Sequence, residues 1–250
     1  MPLSHYLLIS LILFASSILQ GAVGFASGLF GIPLLMMTGV SLPEAVAMSL
    51  VASAAQNCIA AWQLRRLIDF RLALRPILVR LATLPLGVLA LYAIGPGNKD
   101  LASQIVGWVV LAIVIVQQVT RVAPQPRLHE GWEWLAFSMG GFLLGLCGMG
   151  GPAMALWVLA HDWPMDRARA FLYYIFVTGI PVQALLLWLA FGQPILHAML
   201  LGLAMFPAVL VGLYVGLYLS RLIPDRILRN LSLAILALIA ISAILSPYLK

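Results

Sequence analysis

The sequence predicts an all-α, polytopic membrane protein, and three observations carry that expectation. Of its 250 residues 63% are hydrophobic and only 9% charged, with a mean hydropathy of +1.07; a soluble domain carries about 25% charged residues and about 45–50% apolar ones. The apolar runs are too long and too uniformly apolar for outer-membrane strands, which alternate in segments of ~10 residues. Two of the runs are interrupted by glycine-rich stretches, one in each half of the chain: Gly21, Gly24, Gly28, Gly31 and Pro33, then Gly140, Gly141, Gly145, Gly148, Gly150, Gly151 and Pro152. Glycine in a helix interior costs about 1 kcal/mol relative to alanine and proline removes a donor, so both stretches should break their helices. Broken backbone at membrane depth is tolerated where it is buried in protein or lines a cavity, and a matched pair of breaks points to a transport site.

The elements follow in order. The first apolar run, Leu7 to Leu19, continues into the first break without a charged leader region, so it reads as a membrane helix and not as a cleaved signal peptide. A short helix is expected from Leu29 to Met37. Ser41, with Glu44 three residues on, forms a capping box for a helix from about Pro43 to Trp62. That helix carries a polar stripe of Ser49, Ser53, Gln56 and Asn57. A polar loop, Arg65 to Arg75, leads to a helix from about Leu74 to Ile94 containing Arg80 and Pro85. The turn Gly95-Pro96-Gly97-Asn98 precedes a helix from Leu101 to Val119.

Residues 121–130 form a linker with two prolines, expected in the cytoplasm, dividing a first transmembrane repeat (1–120) from a second (131–250). The second begins with a helix from Trp132 to about Leu146, then the second break and a short apolar piece from Ala153 to Ala160. Helices are expected from Asp166 to Phe191, with Thr178, Gly179, Pro181 and Gln183; from Ile195 to Leu219, with Pro207; and from Arg226 to Leu245. The residues Leu81-Ala82-Thr83-Leu84-Pro85 recur as Leu203-Ala204-Met205-Phe206-Pro207 at an offset of 122, Gly21 and Gly24 recur as Gly145 and Gly148 at 124, and Pro43 recurs as Pro164 at 121. Three landmarks in one order at nearly one offset indicate a duplication.

The net charge of +6 does not argue for nucleic acid, because the basic residues are nearly all arginines at the ends of apolar runs. They also report topology. If each glycine-broken segment is a hairpin returning to its own side, Arg65, Arg66, Arg71, Arg75, Arg121, Arg127, Arg167, Arg169, Arg221, Arg226 and Arg229 face inside, and only Lys99 and Lys250 face outside: 11 against 2. If each broken segment crosses once, the count is 7 against 6. The positive-inside bias favours hairpins, and the second repeat is then inserted upside down. The fold expected is two inverted repeats, each opening with a glycine-broken helical hairpin.

Helix N-termini carry partial positive charge and free N–H groups, so short helices starting near Gly28 and Pro152 should favour an anion. The acidic residues Glu44, Asp69, Asp100, Glu130, Glu133, Asp162, Asp166 and Asp225 all lie at run ends or in loops, which argues against a cation pathway. The candidate binding residues are Gly24, Ser27, Gly28, Gly31, Ser53, Gln56, Asn57, Arg80, Gly148, Gly150, Gly151, Pro152, Thr178 and Gln183. Several have a second reading. Arg80 either snorkels to the cytoplasmic surface or faces the cavity and holds the anion. The hydroxyls and amides serve either as anion donors or as helix–helix hydrogen bonds, and the glycines either as breaks or as close-packing positions. Cys58 and Cys147, both within apolar runs, are expected to be buried thiols acting as small hydrophobes. His5, His161 and His197 are expected at the interface and His129 in the linker. No cluster of His, Asp or Glu at membrane depth suggests an enzyme, no G-x-x-x-x-G-K-[ST] motif suggests an ATP-driven pump, and no cofactor is implied.

At Gly21, Gly24, Gly28, Gly31 and Pro33, and again at Gly145, Gly148, Gly150, Gly151 and Pro152, the chain resembles the TauE/SafE family of membrane permeases, whose two related halves each open with a glycine-rich motif followed by proline. Here Ala26-Ser27 interrupts the first glycine run, and the second proline follows its glycines directly. The resemblance covers essentially the whole chain. It implies a multi-pass protein of the inner (plasma) membrane that exports a small sulfur-containing anion, sulfite or an organosulfonate, driven by an ion gradient with the proton as coupling ion; a homodimer is an open assembly. The residues alone give an inverted-repeat anion transporter, with a passive small-anion channel as the alternative.

Overall fold

A computed structural model of the chain describes residues 3–23, 27–94, 98–119, 128–223 and 225–246. Among these every regular element is helical. Helix α1 (Leu3–Val23) ends before residues 24–26, and α2 (Ser27–Met37) follows, with Pro33 inside it. Gly39, at φ +91°, then turns the chain into α3 (Leu42–Gln63). The expected capping box is present: the Ser41 backbone N–H donates to Glu44 Oε2 at 3.1 Å, and the Ser41 hydroxyl donates to the same oxygen at 2.5 Å.

A 3-10 turn, Arg65–Leu67, leads into α4 (Phe70–Ile94), capped by Asp69 Oδ1, which accepts from the N–H groups of Arg71 and Leu72. The helix therefore starts inside the stretch expected to be a loop, because Asp69 supplies its first acceptors. The proposed turn at Gly95-Pro96-Gly97 lies outside the described residues, as do linker residues 121–127. Asn98 Oδ1 caps α5 (Lys99–Val119) through the Leu101 N–H. His129 is a cap as well: its Nδ1 accepts from Gly131 N–H at the start of α6 (Glu130–Cys147). Gly148, at φ 72°, ends α6, and α7 (Gly151–Leu159) starts three residues later with Pro152 in its first turn. Helix α8 (Met165–Phe191) contains Pro181 and stops at Gly192, φ 70°.

The single helix expected from Ile195 to Leu219 is a correction. Two helices, α9 (Gln193–Ala204) and α10 (Phe206–Leu222), meet at Met205 with a bend of 53°. Proline has no N–H for the carbonyl one turn earlier, so Pro207 weakens the ladder there. Pro85, its counterpart in the expected duplication, lies inside continuous α4. Helix α11 (Asp225–Leu245) completes the set. Among the described residues five helices are long and apolar enough to cross a membrane, six if the bent pair counts as one span.

The chain forms two units. The first comprises Met1–Ser53, Ile94–Thr120 and Gln193–Lys250; the second comprises Ala54–Ala93 and Arg121–Gly192. Each unit draws on both halves of the sequence. In the first unit, α1 packs on α10 where a Cβ on Gly21 would lie 2.5 Å from the Leu213 carbonyl oxygen, and α5 packs on α11, with Ser103 Oγ donating to the Ala243 carbonyl at 3.0 Å. In the second unit, α6 crosses α4 with Gly141 and Gly145 against the backbone around Arg80 and Gly87. The opening helix of each half therefore packs on the proline-bearing helix of the other half. Gly21 and Gly145 lie within helices and act as close-packing positions; the second interruption falls at Gly148–Gly150, and residues 24–26 of the first lie outside the described residues.

The core of the second unit joins Phe137, Met154, Trp157, Phe171 and Ile175, with Trp157 edge-on to Phe137 at 5.2 Å and stacked on Phe171 at 5.7 Å. The exterior is apolar too: Trp62, Leu89, Val119, Leu189 and Leu238 are exposed, as lipid-facing positions require. This explains the second correction. Cys147 is buried, but Cys58 is exposed, because in a bilayer an apolar run does not have to face the core.

Candidate anion site

In the second unit, the helix-forming pattern does not account for a charge buried within α4. Arg80 is the eleventh residue of α4, about 15 Å along the helix from Phe70 at 1.5 Å per residue. Its side chain does not snorkel. It is 2% exposed, Nη1 donates to the Ile175 carbonyl of α8, and Cζ lies 5.8 Å from the Phe176 ring centroid. The snorkelling reading is therefore corrected: α4 begins four residues earlier than expected, which carries Arg80 deeper, and the interior of the unit supplies an acceptor.

The ion pairs formed by the described residues engage other arginines. Arg75 meets Glu130 at 2.9 Å and Glu133 at 3.4 Å, and Arg167 meets Asp69 at 4.0 Å. These pairs lie at helix ends, where the exposed Glu130 carboxyl is held below its ordinary range by its hydrogen bond from Arg75. Arg80 has a carbonyl partner, and its Nε–H is buried without an acceptor. A buried charge left without an opposite charge carries an effective penalty of several kcal/mol.

Thr178 joins Arg80 at one acceptor, since its Oγ1 donates to the same Ile175 carbonyl at 2.9 Å. Gln183 is buried, and its Nε2 donates to the Leu144 carbonyl of α6 at 2.9 Å, which is the interhelical bond that was one of its two readings. Its Oε1 is buried without a partner. Gln56 and Asn57 are buried on α3. Gly148, Gly150, Gly151 and Pro152 form the break and the first turn of α7; a Cβ on Gly150 would lie 2.9 Å from Leu144 Cβ, so the break is packed tightly against α6.

In the first unit, Gly24 lies outside the described residues, while Ser27, Gly28 and Gly31 belong to α2. A Cβ on Gly31 would lie 3.2 Å from Ser16 Oγ and 3.4 Å from Ser49 Oγ, so two hydroxyls flank the short helix. Ser53 turns its hydroxyl onto its own helix, to the Leu50 carbonyl at 3.1 Å. Sequence reasoning passed over Ser16, Ile175, Phe176 and Gly179 as site residues. A glycine two positions before Pro181 was the one available signal for Gly179; a backbone carbonyl acceptor leaves none.

Membrane-length helices and an apolar exterior define a polytopic α-helical membrane protein. The chain belongs to the TauE/SafE family: the family described as "Sulfite exporter TauE/SafE" matches residues 8–243. No curated protein and no solved structure matches it.

Proposed function

We propose that the protein is a secondary transporter that exports sulfite or an organosulfonate across the inner (plasma) membrane, coupled to protons, with the two halves inserted as inverted repeats. The observation that carries this reading is Arg80, a buried guanidinium in α4 whose side-chain partner is a carbonyl and whose Nε–H lacks an acceptor. An oxyanion supplies the missing opposite charge, and charge-assisted bonds from a guanidinium to such a group are about twice as strong as neutral ones. The acidic residues support an anion, since each lies in a connection or in the first turn of a helix. The break before α7, in the same unit as Arg80, adds donors. The first turn of α7 carries N–H groups without intrahelical acceptors, and its dipole favours negative charge.

The test is radiolabelled sulfite flux into proteoliposomes, with and without an imposed pH gradient, competed by sulfate, taurine, sulfoacetate and acetate. Accumulation against the sulfite gradient, competed by sulfonates and lost when the pH gradient is collapsed, is the expected outcome. Flux that only equilibrates identifies a channel. Absence of flux for every oxyanion removes the substrate assignment.

A further inference from the structure

Gly179 lies inside α8, where glycine weakens the helix and where its φ is not left-handed. Neither helix propensity nor a turn accounts for it. Its surroundings do. A Cβ built on Gly179 would stand 2.9 Å from both Nη1 and Nη2 of Arg80 and 3.0 Å from Cζ. Gly87 and Gly145 are different, because their nearest neighbours are backbone atoms of a crossing helix. At Gly179 the neighbour is the far end of a flexible side chain. A methyl group there pushes the guanidinium aside and leaves α4 and α8 where they are.

The guanidinium lies on this bare stretch of α8 with Nη1 on the Ile175 carbonyl. That bond does not use the fork formed by Nε and Nη2, and the Nε–H of the fork is buried without an acceptor. A guanidinium fork matches two oxygens of one planar or pyramidal oxyanion and holds them in a fixed orientation. We infer that Gly179 is the positioning residue of the anion site: its missing side chain seats Arg80 so that the Nε/Nη2 fork is presented to an anion with two oxygens on one face, such as sulfite or a sulfonate. The inference rests on the reading of Arg80 as the counter-charge of the transported anion.

Two measurements test it together. In sulfite transport, Gly179→Ala raises KM about tenfold, the loss expected when a charge-assisted bond is misaligned, with the maximal rate nearly unchanged. In thermal unfolding, Gly179→Ala raises Tm in an Arg80→Ala background, where a better helix former meets no guanidinium, but gives no such gain when Arg80 is present. An unchanged KM overturns the inference. So does a KM effect accompanied by the same Tm change in both backgrounds, because the alanine then acts without Arg80. If Gly179→Ala fails to accumulate in the membrane, recovery of the Arg80→Ala/Gly179→Ala protein supports the seat, and failure of both overturns it. A wild-type protein that moves no sulfite defeats the functional reading, while the Tm comparison still judges the seat.

Discussion

Gly87 and Gly145 face each other where α4 crosses α6: a Cβ on Gly87 would lie 2.9 Å from the Cα of Gly145, and a Cβ on Gly145 would lie 3.0 Å from the carbonyl carbon of Gly87. Neither helix can move away cheaply, because the obstructing atoms are backbone. Gly145→Leu should therefore lower stability by at least the ~1–3 kcal/mol typical of overpacking. A drop in Tm of the detergent-solubilised protein checks it. Unchanged stability would mean that the crossing is loose.

Arg80 should show function and stability moving in opposite directions. Replacing even a buried ion pair with hydrophobes of similar volume is often neutral or stabilising by about 1–4 kcal/mol, and Arg80 takes part in none of the ion pairs of the described residues. Arg80→Met is expected to insert normally and to melt at the same temperature or higher, while sulfite transport falls at least tenfold. Transport at the wild-type rate would remove Arg80 from the site.

The break before α7 offers a different test. Gly151 begins the helix and Pro152 follows in its first turn. A bulky side chain there crowds the N–H groups proposed to meet the anion. Gly151→Leu, and likewise Gly28→Leu at the start of α2, should abolish transport and leave membrane insertion intact. Survival of transport in Gly151→Leu would refute a role for the break before α7, and survival in Gly28→Leu would refute a role for the start of α2.

Glu44 accepts both the backbone N–H and the hydroxyl of Ser41. Glu44→Ala removes both bonds at the start of α3. A loss of about 0.5–2 kcal/mol is expected, the range for a helix cap, read as a lower Tm with transport affinity unchanged.

The Arg75–Glu130 pair has a defined pH dependence. The Glu130 carboxyl sits below its ordinary value of 4.5 because Arg75 donates to it. A depressed carboxyl contributes stability above that ordinary value and loses it as pH falls through the folded value. The effect is small because the pair is exposed. The Tm difference between wild type and Glu130→Gln should be present at neutral pH and vanish on acidification below pH 4.5.

Much of the helical plan was legible because local chemistry wrote it down. The Ser41–Glu44 box, the αL glycine at 148 and Pro152 in the first turn of α7 each carry their own signal. What failed was decided by neighbours. Pro85 and Pro207 sit in similar runs, each four residues after a Leu-Ala pair opens, yet α4 runs through the first and the chain bends 53° beside the second. Intrinsic propensity is identical at the two prolines, so packing makes the difference. Arg80 was left with two readings for the same reason. Helical periodicity shows that it lies in a membrane helix but cannot reveal a carbonyl 95 residues away in the sequence. The pair of hydroxyls beside Gly31 was not legible, since Ser49 was read in the polar stripe of its own helix and Ser16 lies on a different helix.

The pairing of α1 with α10 sets a timetable for biogenesis. Gly21 packs against Gly216, and 195 residues separate them in the chain (216 − 21). At roughly 5–20 residues per second, α1 is in the bilayer for about 10–40 s before the ribosome has made the helix that covers its glycine face. During that interval the nascent first half carries an unfilled groove among other membrane proteins. Lipid has to cover that face until its own partner is released.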